Sequence, residues 1–288
     1  RFATPARVDI QCTCGLCQTS FMPIILPPLV STGLYLLAST LLALPASTTS
    51  TRNRTLALCL AVVAVLVHTG LAFGMHHGRI SLHFFAALSL VGVCVAAITL
   101  LVNLFRPVAA LGVIVFPLAA VLLCVNTFGP APQVAEAMEW QITLHVAIAL
   151  VAYSLLSIAA LLAILLSLQE RALRRHRVDS GLLRALPPLT LTESLLFRLI
   201  AVGFVLLTLT LVTGVLFVDD LFAQHLVHKT VLSITSWLVF GLLLFGRWRW
   251  GWRGPPAVRL TLIGMAVLLL AFFGTKFVLE LVLHRTPV

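Results

Sequence analysis

The chain has 288 residues, of which 60% are hydrophobic and only 10% are charged, and its mean hydropathy is +1.11. Soluble domains contain about 25% charged residues, so this composition excludes an ordinary water-soluble domain. The formal net charge of +10 is typical of some nucleic-acid-binding proteins, but we reject that class because the basic residues lie at the ends of apolar runs.

Eight apolar runs are each long enough to cross a bilayer, which takes about 20 residues of helix. Lipid leaves no partner for an unpaired backbone group, and runs this continuously apolar predict helices rather than the alternating strands of a barrel. We therefore expect an all-α, polytopic transmembrane helical bundle over residues 22–288, with residues 1–21 as an extension outside the fold. The predicted spans are about 24–44, 55–74, 84–104, 107–126, 142–168, 196–218, 230–246 and 258–283.

The basic residues predict the orientation of the bundle. Thirteen of the nineteen fall in or beside alternate connections, after spans 1, 3, 5 and 7, whereas the other inter-span loops hold only Arg79 and Lys229. Basic residues are enriched on the cytoplasmic side of membrane proteins. Both termini are therefore predicted to lie on the outer, periplasmic side, and the Arg/Trp segment 247–254 is predicted to anchor the cytoplasmic interface.

The six cysteines do not form the pattern of a disulfide framework. Three of them lie inside apolar runs, where cysteine packs as a small hydrophobic residue, and these are Cys59, Cys94 and Cys124. The other three form a C-x-C-x-x-C pattern within residues 1–21. That pattern leaves metal or redox chemistry open, although an extension without a role is the favoured interpretation.

Histidines concentrate on the predicted outer side. His145 lies about one turn into span 5, and the polar stretch 219–230 between spans 6 and 7 carries His225, His228 and Lys229. His68, alone in span 2, is interpreted as a packed, hydrogen-bonded residue. The outer candidates are His76, His77, His145, His225, His228 and His284. Neutral imidazole binds zinc, copper or haem iron, and spacing alone leaves these metals open.

The chain resembles the membrane proteins of cytochrome c assembly, of the CcsA and CcmC kind, and is most similar to their HemX/YpjD branch in bacterial inner membranes. Three stretches carry the resemblance: Leu144-His145-Val146, Lys229-Thr230 with 234–238, and Phe273-Gly274 with Leu283-His284. The family has a tryptophan-rich external motif just before the second stretch. In this chain residues 224–228 hold two histidines there and no tryptophan.

The resemblance implies haem handling at the outer face of the inner membrane, in cytochrome c assembly or haem-protein biogenesis. It implies haem b as the cofactor, with His145 and His284 as axial ligands of the iron. His228 and His225 would be secondary or exchange ligands, and His76 or His77 would be the partner histidine of the earlier span. Lys229 would pair with a haem propionate. The implied partners are the lipid bilayer, haem, and other assembly proteins or an apocytochrome.

Two other functions stay open. Lys276 and Glu280, four residues apart in span 8, together with the outer histidines, would suit a metal-ion or small-molecule transporter. The missing tryptophans would suit a scaffold or regulatory subunit that keeps the fold without the chemistry. The sequence shows none of the Walker, G-x-S-x-G or H-E-x-x-H motifs, so we do not expect an enzyme.

Overall fold

A computed structural model of the chain describes residues 22–44, 51–74, 84–105, 109–129, 139–174, 188–217 and 224–274. Within these residues it contains eight α-helices and no strand, which confirms the predicted all-α polytopic bundle. All eight are long and apolar enough to cross a membrane. They are α1 (Met22–Ala43), α2 (Thr51–Gly74), α3 (Phe84–Phe105), α4 (Ala109–Phe128), α5 (Trp140–Arg174), α6 (Leu189–Phe217), α7 (Gln224–Trp250) and α8 (Pro255–Leu269). The predicted extension, residues 1–21, lies outside the described residues.

Four predicted helix ends are wrong, because polar residues continue each helix beyond its apolar run. The inner connection predicted at about 169–195 is shorter, since α5 continues to Arg174 and α6 begins at Leu189. The polar stretch 219–230 is not a loop throughout, since α7 begins at Gln224. Much of the Arg/Trp segment belongs to the same helix, which ends only at Trp250. Helix ends that reach the headgroups and water tolerate such residues.

The eight helices form two groups of four, α1–α4 and α5–α8, which meet where α3 packs against α5. Neighbouring helices run in opposite directions. In the first group Ser31 of α1 donates to the carbonyl of Ala64 in α2 at 2.9 Å. In the second group Ser236 of α7 donates to the carbonyl of Gly264 in α8 at 2.8 Å. A five-residue π-helical turn, Leu270–Gly274, continues α8.

Small residues allow α5 to lie close to α6, the most extensive helix pair of the bundle. Gly203 of α6 faces Leu156 of α5, which is fully buried. A Cβ atom added at Gly203 would lie 2.9 Å from Cγ of Leu156, which is closer than carbon atoms pack. Helices inside a membrane gain most of their association from such close van der Waals contact.

His68 is a packed and hydrogen-bonded residue, as the sequence predicts. Its side chain is fully buried between α1 and α3. Nδ1 lies 3.3 Å from the hydroxyl of Tyr35, and Nε2 lies 2.9 Å from the hydroxyl of Ser89. Both ring nitrogens are therefore engaged by protein, so His68 links three helices and has no free position for a metal.

Arg247 organises the end of the bundle that is predicted to be cytoplasmic. Its guanidinium donates to Glu193 of α6 at 2.9 Å and to the carbonyl of Trp252 at 3.1 Å. It also lies 4.5 Å above the ring centre of Phe197. The chain then turns at Gly254, where φ is +60°, a conformation that favours glycine, and where an added Cβ atom would lie 3.0 Å from Oε1 of Glu170. These contacts hold the ends of α5, α6, α7 and α8 in one layer.

Replacing Gly203 by valine should destabilise the bundle, because the added methyl groups would overlap Leu156. Overpacking of this kind costs about 1–3 kcal/mol of unfolding free energy. Thermal unfolding of the detergent-purified protein, followed by tryptophan fluorescence, measures the loss. The control is Gly70→Val, at a helical glycine with no atom within 4 Å of an added Cβ. Equal unfolding temperatures for the two variants would contradict the packing described.

The orientation is tested by fusing alkaline phosphatase, which is active only outside the cytoplasm, after the ends of two helices. A fusion after Phe217 should be active, and one after Trp250 should be inactive, because the arginines of α7 lie at the second position. Activity in the reverse pattern would place both termini in the cytoplasm.

Candidate functional site

His145 lies at the beginning of α5, on the side that faces α6. The helix is ordered from its first turn, since the backbone amide and the hydroxyl of Thr143 both donate to the carbonyl of Glu139 at 3.0 Å. Trp140, the first residue of α5, is 69% exposed and contacts the ring of Phe217 at the end of α6. An exposed indole at a helix end fits the membrane–water interface. His145 is therefore about one turn inside that interface, as predicted.

Two residues of α6 hold the imidazole of His145. Nδ1 lies 2.9 Å from Oγ1 of Thr213. The next residue is Gly214, where an added Cβ atom would lie 3.4 Å from Cε1 of the ring. One edge of the ring, Nδ1 and Cε1, therefore lies against α6, and the hydrogen bond to Thr213 holds it there.

The surroundings of His145 fit a planar, partly apolar ligand with a metal. Among the described residues, Nε2 of His145 makes no hydrogen bond, so its lone pair is available if Nδ1 carries the proton. One turn earlier, Oε1 of Gln141 is buried and likewise has no partner among them. A buried polar atom without a partner costs free energy that a bound ligand can recover. Trp140 and Phe217 add aromatic surface beside these groups.

α7 brings a second group of predicted site residues to the start of a helix. His228 and Lys229 lie in its second turn, where His228 is exposed and Lys229 is half-buried. His225 belongs to the first turn, three residues before His228, a spacing that puts two positions on one helix face. α7 packs against α6 and α8, so its first turns and the start of α5 lie at the same end of the bundle.

The structure does not bring all the predicted ligands together within its described part. His77 and His284 lie outside the described residues, as do His76, His83, Lys276 and Glu280. The side chain of His225 is outside them too. Within the described ranges, no three of the residues His, Cys, Asp and Glu form a group that could hold a metal ion. His145 is thus the best-defined ligand candidate.

An apolar groove of about 270 Å³ lies between α2, α3 and the side of α5 that faces away from His145. Val146, Ala147 and Leu150 line it from α5, and Cys94 of α3 contributes a thiol. Cys59, Cys94 and Cys124 are all free thiols, of which Cys94 and Cys124 are half-buried, as predicted, whereas Cys59 is exposed on the outside of the bundle. His145 faces α6 instead, so the groove and the imidazole are separate features.

Three residues of this site were not predicted from the sequence: Thr213, Gly214 and Gln141. Thr213-Gly214 interrupts a strongly apolar run one turn before α6 ends, which is a weak signal for a helix contact. That signal does not say which helix is the partner. Gln141 is four residues before His145 and shares its face, so the spacing could have indicated it.

Comparison with known families gives a match over most of the chain. The sequence model of the family described as Cytochrome C assembly protein matches residues 53–283, which include α2 to α8. His145 and His228 both lie inside the matched range. The resemblance inferred from the sequence is therefore confirmed.

Individual relatives match about half of the chain. Inner membrane protein YpjD of Escherichia coli K12 is 37% identical over 138 residues, 48% of this chain and 52% of the relative. An uncharacterized 28.8 kDa protein of Azospirillum brasilense is 39% identical over 158 residues, 54% and 58% of the two chains. Cytochrome c biogenesis protein CcsA of Parasynechococcus marenigrum is 25% identical over 168 residues, 51% and 55%. The chain thus spans about half the length of the curated relatives it matches, and no solved structure matches it.

The burial of the histidines predicts an order of reaction with diethyl pyrocarbonate, which acylates unprotonated imidazole nitrogens. His228 should be modified fastest, His145 more slowly, and His68 only on unfolding, because His68 is fully buried with both nitrogens engaged. Peptide mass spectrometry after graded exposure of the detergent-purified protein measures the order. Modification of His68 at the rate of His228 would contradict the packing of α1, α2 and α3.

Proposed function

We propose that this protein handles haem, on the premise that the chain belongs to the cytochrome c assembly family. The protein would bind haem b at the outer face of the bacterial inner membrane, in support of cytochrome c assembly or haem-protein biogenesis. The observation that carries the proposal is the imidazole of His145, held by α6 through Nδ1 with Nε2 free among the described residues. An oriented imidazole with one open nitrogen is the form in which histidine ligates iron.

The proposed ligands are those that the family resemblance implies. His145 and His284 would be the axial ligands of the iron. His225, His228 and His77 would be secondary ligands that exchange with the axial pair when haem enters or leaves. Lys229 would pair with a propionate, since an ammonium group and a carboxylate form a strong, charge-assisted hydrogen bond.

Three side chains at this end of the bundle would contribute to haem binding in different ways. His145 would donate a lone pair to the iron, with its ring held on α6 by the hydrogen bond between Nδ1 and Thr213. Trp140 and Phe217 supply apolar surface for the edge of a macrocycle at the depth of the headgroups. Haem is cargo in this account, and the iron supplies the coordination site by which the chain retains it.

The location and partners come to this chain by the same inference. YpjD is named as an inner membrane protein and CcsA as a cytochrome c biogenesis protein. Eight membrane-capable helices among the described residues give this chain the architecture for the same location. Other assembly proteins or an apocytochrome would then receive the haem on the outer side.

Haemin titration of the detergent-purified protein tests the proposal. A Soret band that saturates at one haem per chain is expected for the unmodified protein. His145→Ala should weaken binding at least tenfold, because a ligand is lost, and the loss of a residue that only hydrogen-bonds a metal ligand already costs about 10–100-fold in metal affinity. His176→Ala, in the connection predicted to be cytoplasmic, is the matched control and should bind as the unmodified protein does.

Two results would contradict the proposed function. The first is a protein without a Soret band before and after haemin addition. The second is equal haem retention by the unmodified protein and by the His145→Ala and His284→Ala variants. Bound zinc or copper in elemental analysis, with no haem, would support the metal-ion transporter instead.

A further inference from the structure

The hydroxyl of Thr213 lies within hydrogen-bond distance of three groups but can donate only one proton. Its Oγ1 lies 2.9 Å from the carbonyl oxygen of Leu209, 3.0 Å from that of Thr210 and 2.9 Å from Nδ1 of His145. A hydroxyl donates one proton and accepts through its lone pairs, whereas a carbonyl oxygen only accepts. The two carbonyl contacts are therefore favourable only if the hydroxyl proton points at the backbone.

That assignment decides the protonation of the imidazole. If the Thr213 proton goes to the backbone carbonyls, Oγ1 must accept from His145, and Nδ1 must carry the hydrogen. The opposite choice, with Thr213 donating to Nδ1, would leave its oxygen 2.9 Å and 3.0 Å from two carbonyl oxygens with no hydrogen between them. The carbonyl contacts therefore favour the tautomer with hydrogen on Nδ1 and a lone pair on Nε2.

Thr208, five residues earlier on α6, shows the same arrangement without ambiguity. Its hydroxyl donates to the carbonyl of Phe204 at 2.8 Å, four residues back in the helix. The indole Nε1 of Trp237 donates to the same Oγ1 at 2.8 Å, and an indole nitrogen can only donate. Thr208 thus shows that a threonine of α6 can donate backward along its own helix while it accepts a ring N–H from a neighbouring helix, and Thr213 has the same kinds of neighbours.

We infer that Thr213 is a positioning residue for His145, which it holds as the Nδ1–H tautomer so that the unprotonated Nε2 is presented as the metal ligand. Metal-binding histidines commonly donate their second ring N–H to an oxygen that fixes both tautomer and ring orientation. The inference rests on the proposed function for the identity of the ligand, haem iron, while the tautomer itself is a property of the haem-free protein. Gly214 lies next to the same ring, where an added Cβ atom would be in ordinary van der Waals contact with Cε1, so the hydrogen bond between Nδ1 and Thr213 is the contact that carries the inference.

¹⁵N NMR of the haem-free protein, labelled at histidine and reconstituted in nanodiscs, tests the tautomer directly. The His145 resonances are assigned by their absence in His145→Gln. The unmodified protein and Thr213→Ser, which keeps the hydroxyl, should show hydrogen on Nδ1. Thr213→Val, which keeps the shape without the hydroxyl, should shift the population toward hydrogen on Nε2.

Haemin titration of the same variants tests the consequence. Thr213→Val should weaken haem binding about 10–100-fold, the usual effect of losing such a partner, and Thr213→Ser should restore it. The matched control is Thr208→Val, which removes the equivalent bond to Trp237 and should leave both the His145 tautomer and haem affinity unchanged. Thermal unfolding of all three variants shows whether a lost affinity is a lost fold.

Three outcomes would overturn the inference. They are hydrogen on Nε2 in the unmodified protein, an unchanged tautomer in Thr213→Val, and an equal loss of haem affinity in Thr208→Val and Thr213→Val. Failure of the proposed function looks different. In that case no variant binds haem, while the NMR spectra still show whether Thr213 holds hydrogen on Nδ1 of His145.

Discussion

Hydrocarbon offers no hydrogen-bond partner, so a polar side chain inside a membrane has to find its partners in the protein. The bundle follows this constraint at most of its polar positions. Tyr153 of α5 donates to the carbonyl of Leu268 in α8 at 3.2 Å, and Ser236 donates to Gly264. His68 uses both ring nitrogens between Tyr35 and Ser89. Each of these bonds joins two helices, so the polar residues of the spans also determine how the helices pack.

His145 departs from this pattern in a way that points to function. Its Nδ1 is bonded to Thr213, but its Nε2 has no partner among the described residues. His68 is the internal comparison, since the same side chain in the same fold is engaged at both nitrogens. This difference supports the ligand role proposed for His145, whereas His68 has a structural role.

Hydropathy predicted the fold because it is read along the chain. Runs of about 20 apolar residues predict helices wherever they occur, and the eight helices lie where the runs are. The ends were predicted less well. Both ends of α7 are rich in polar or charged residues yet helical, at Gln224 to Thr230 and at Arg247 to Trp250. A helix that reaches the interface keeps its backbone hydrogen bonds, because its side chains meet headgroups and water.

The site was only partly predictable, because its contacts join distant parts of the chain. His145 was identified from its position near the start of a span and from the family resemblance. Thr213 was missed, since it lies 68 residues away and becomes its partner only through the packing of α5 against α6. Likewise, nothing in the sequence distinguishes the threonine that bonds His145 from Thr208, which bonds Trp237. Such pairs are decided by helix rotation, which apolar periodicity in a lipid-facing bundle does not determine.

The proposed ligation of haem iron by His145 is tested most directly by the electron paramagnetic resonance spectrum of the purified protein loaded with one equivalent of ferric haem. Two histidine ligands give a low-spin ferric signal, and removal of one of them gives a high-spin signal. If His145 is one of two histidine ligands, the unmodified protein gives a low-spin spectrum and His145→Ala gives a high-spin spectrum. An identical spectrum in both proteins would contradict the assignment of His145 as an axial ligand.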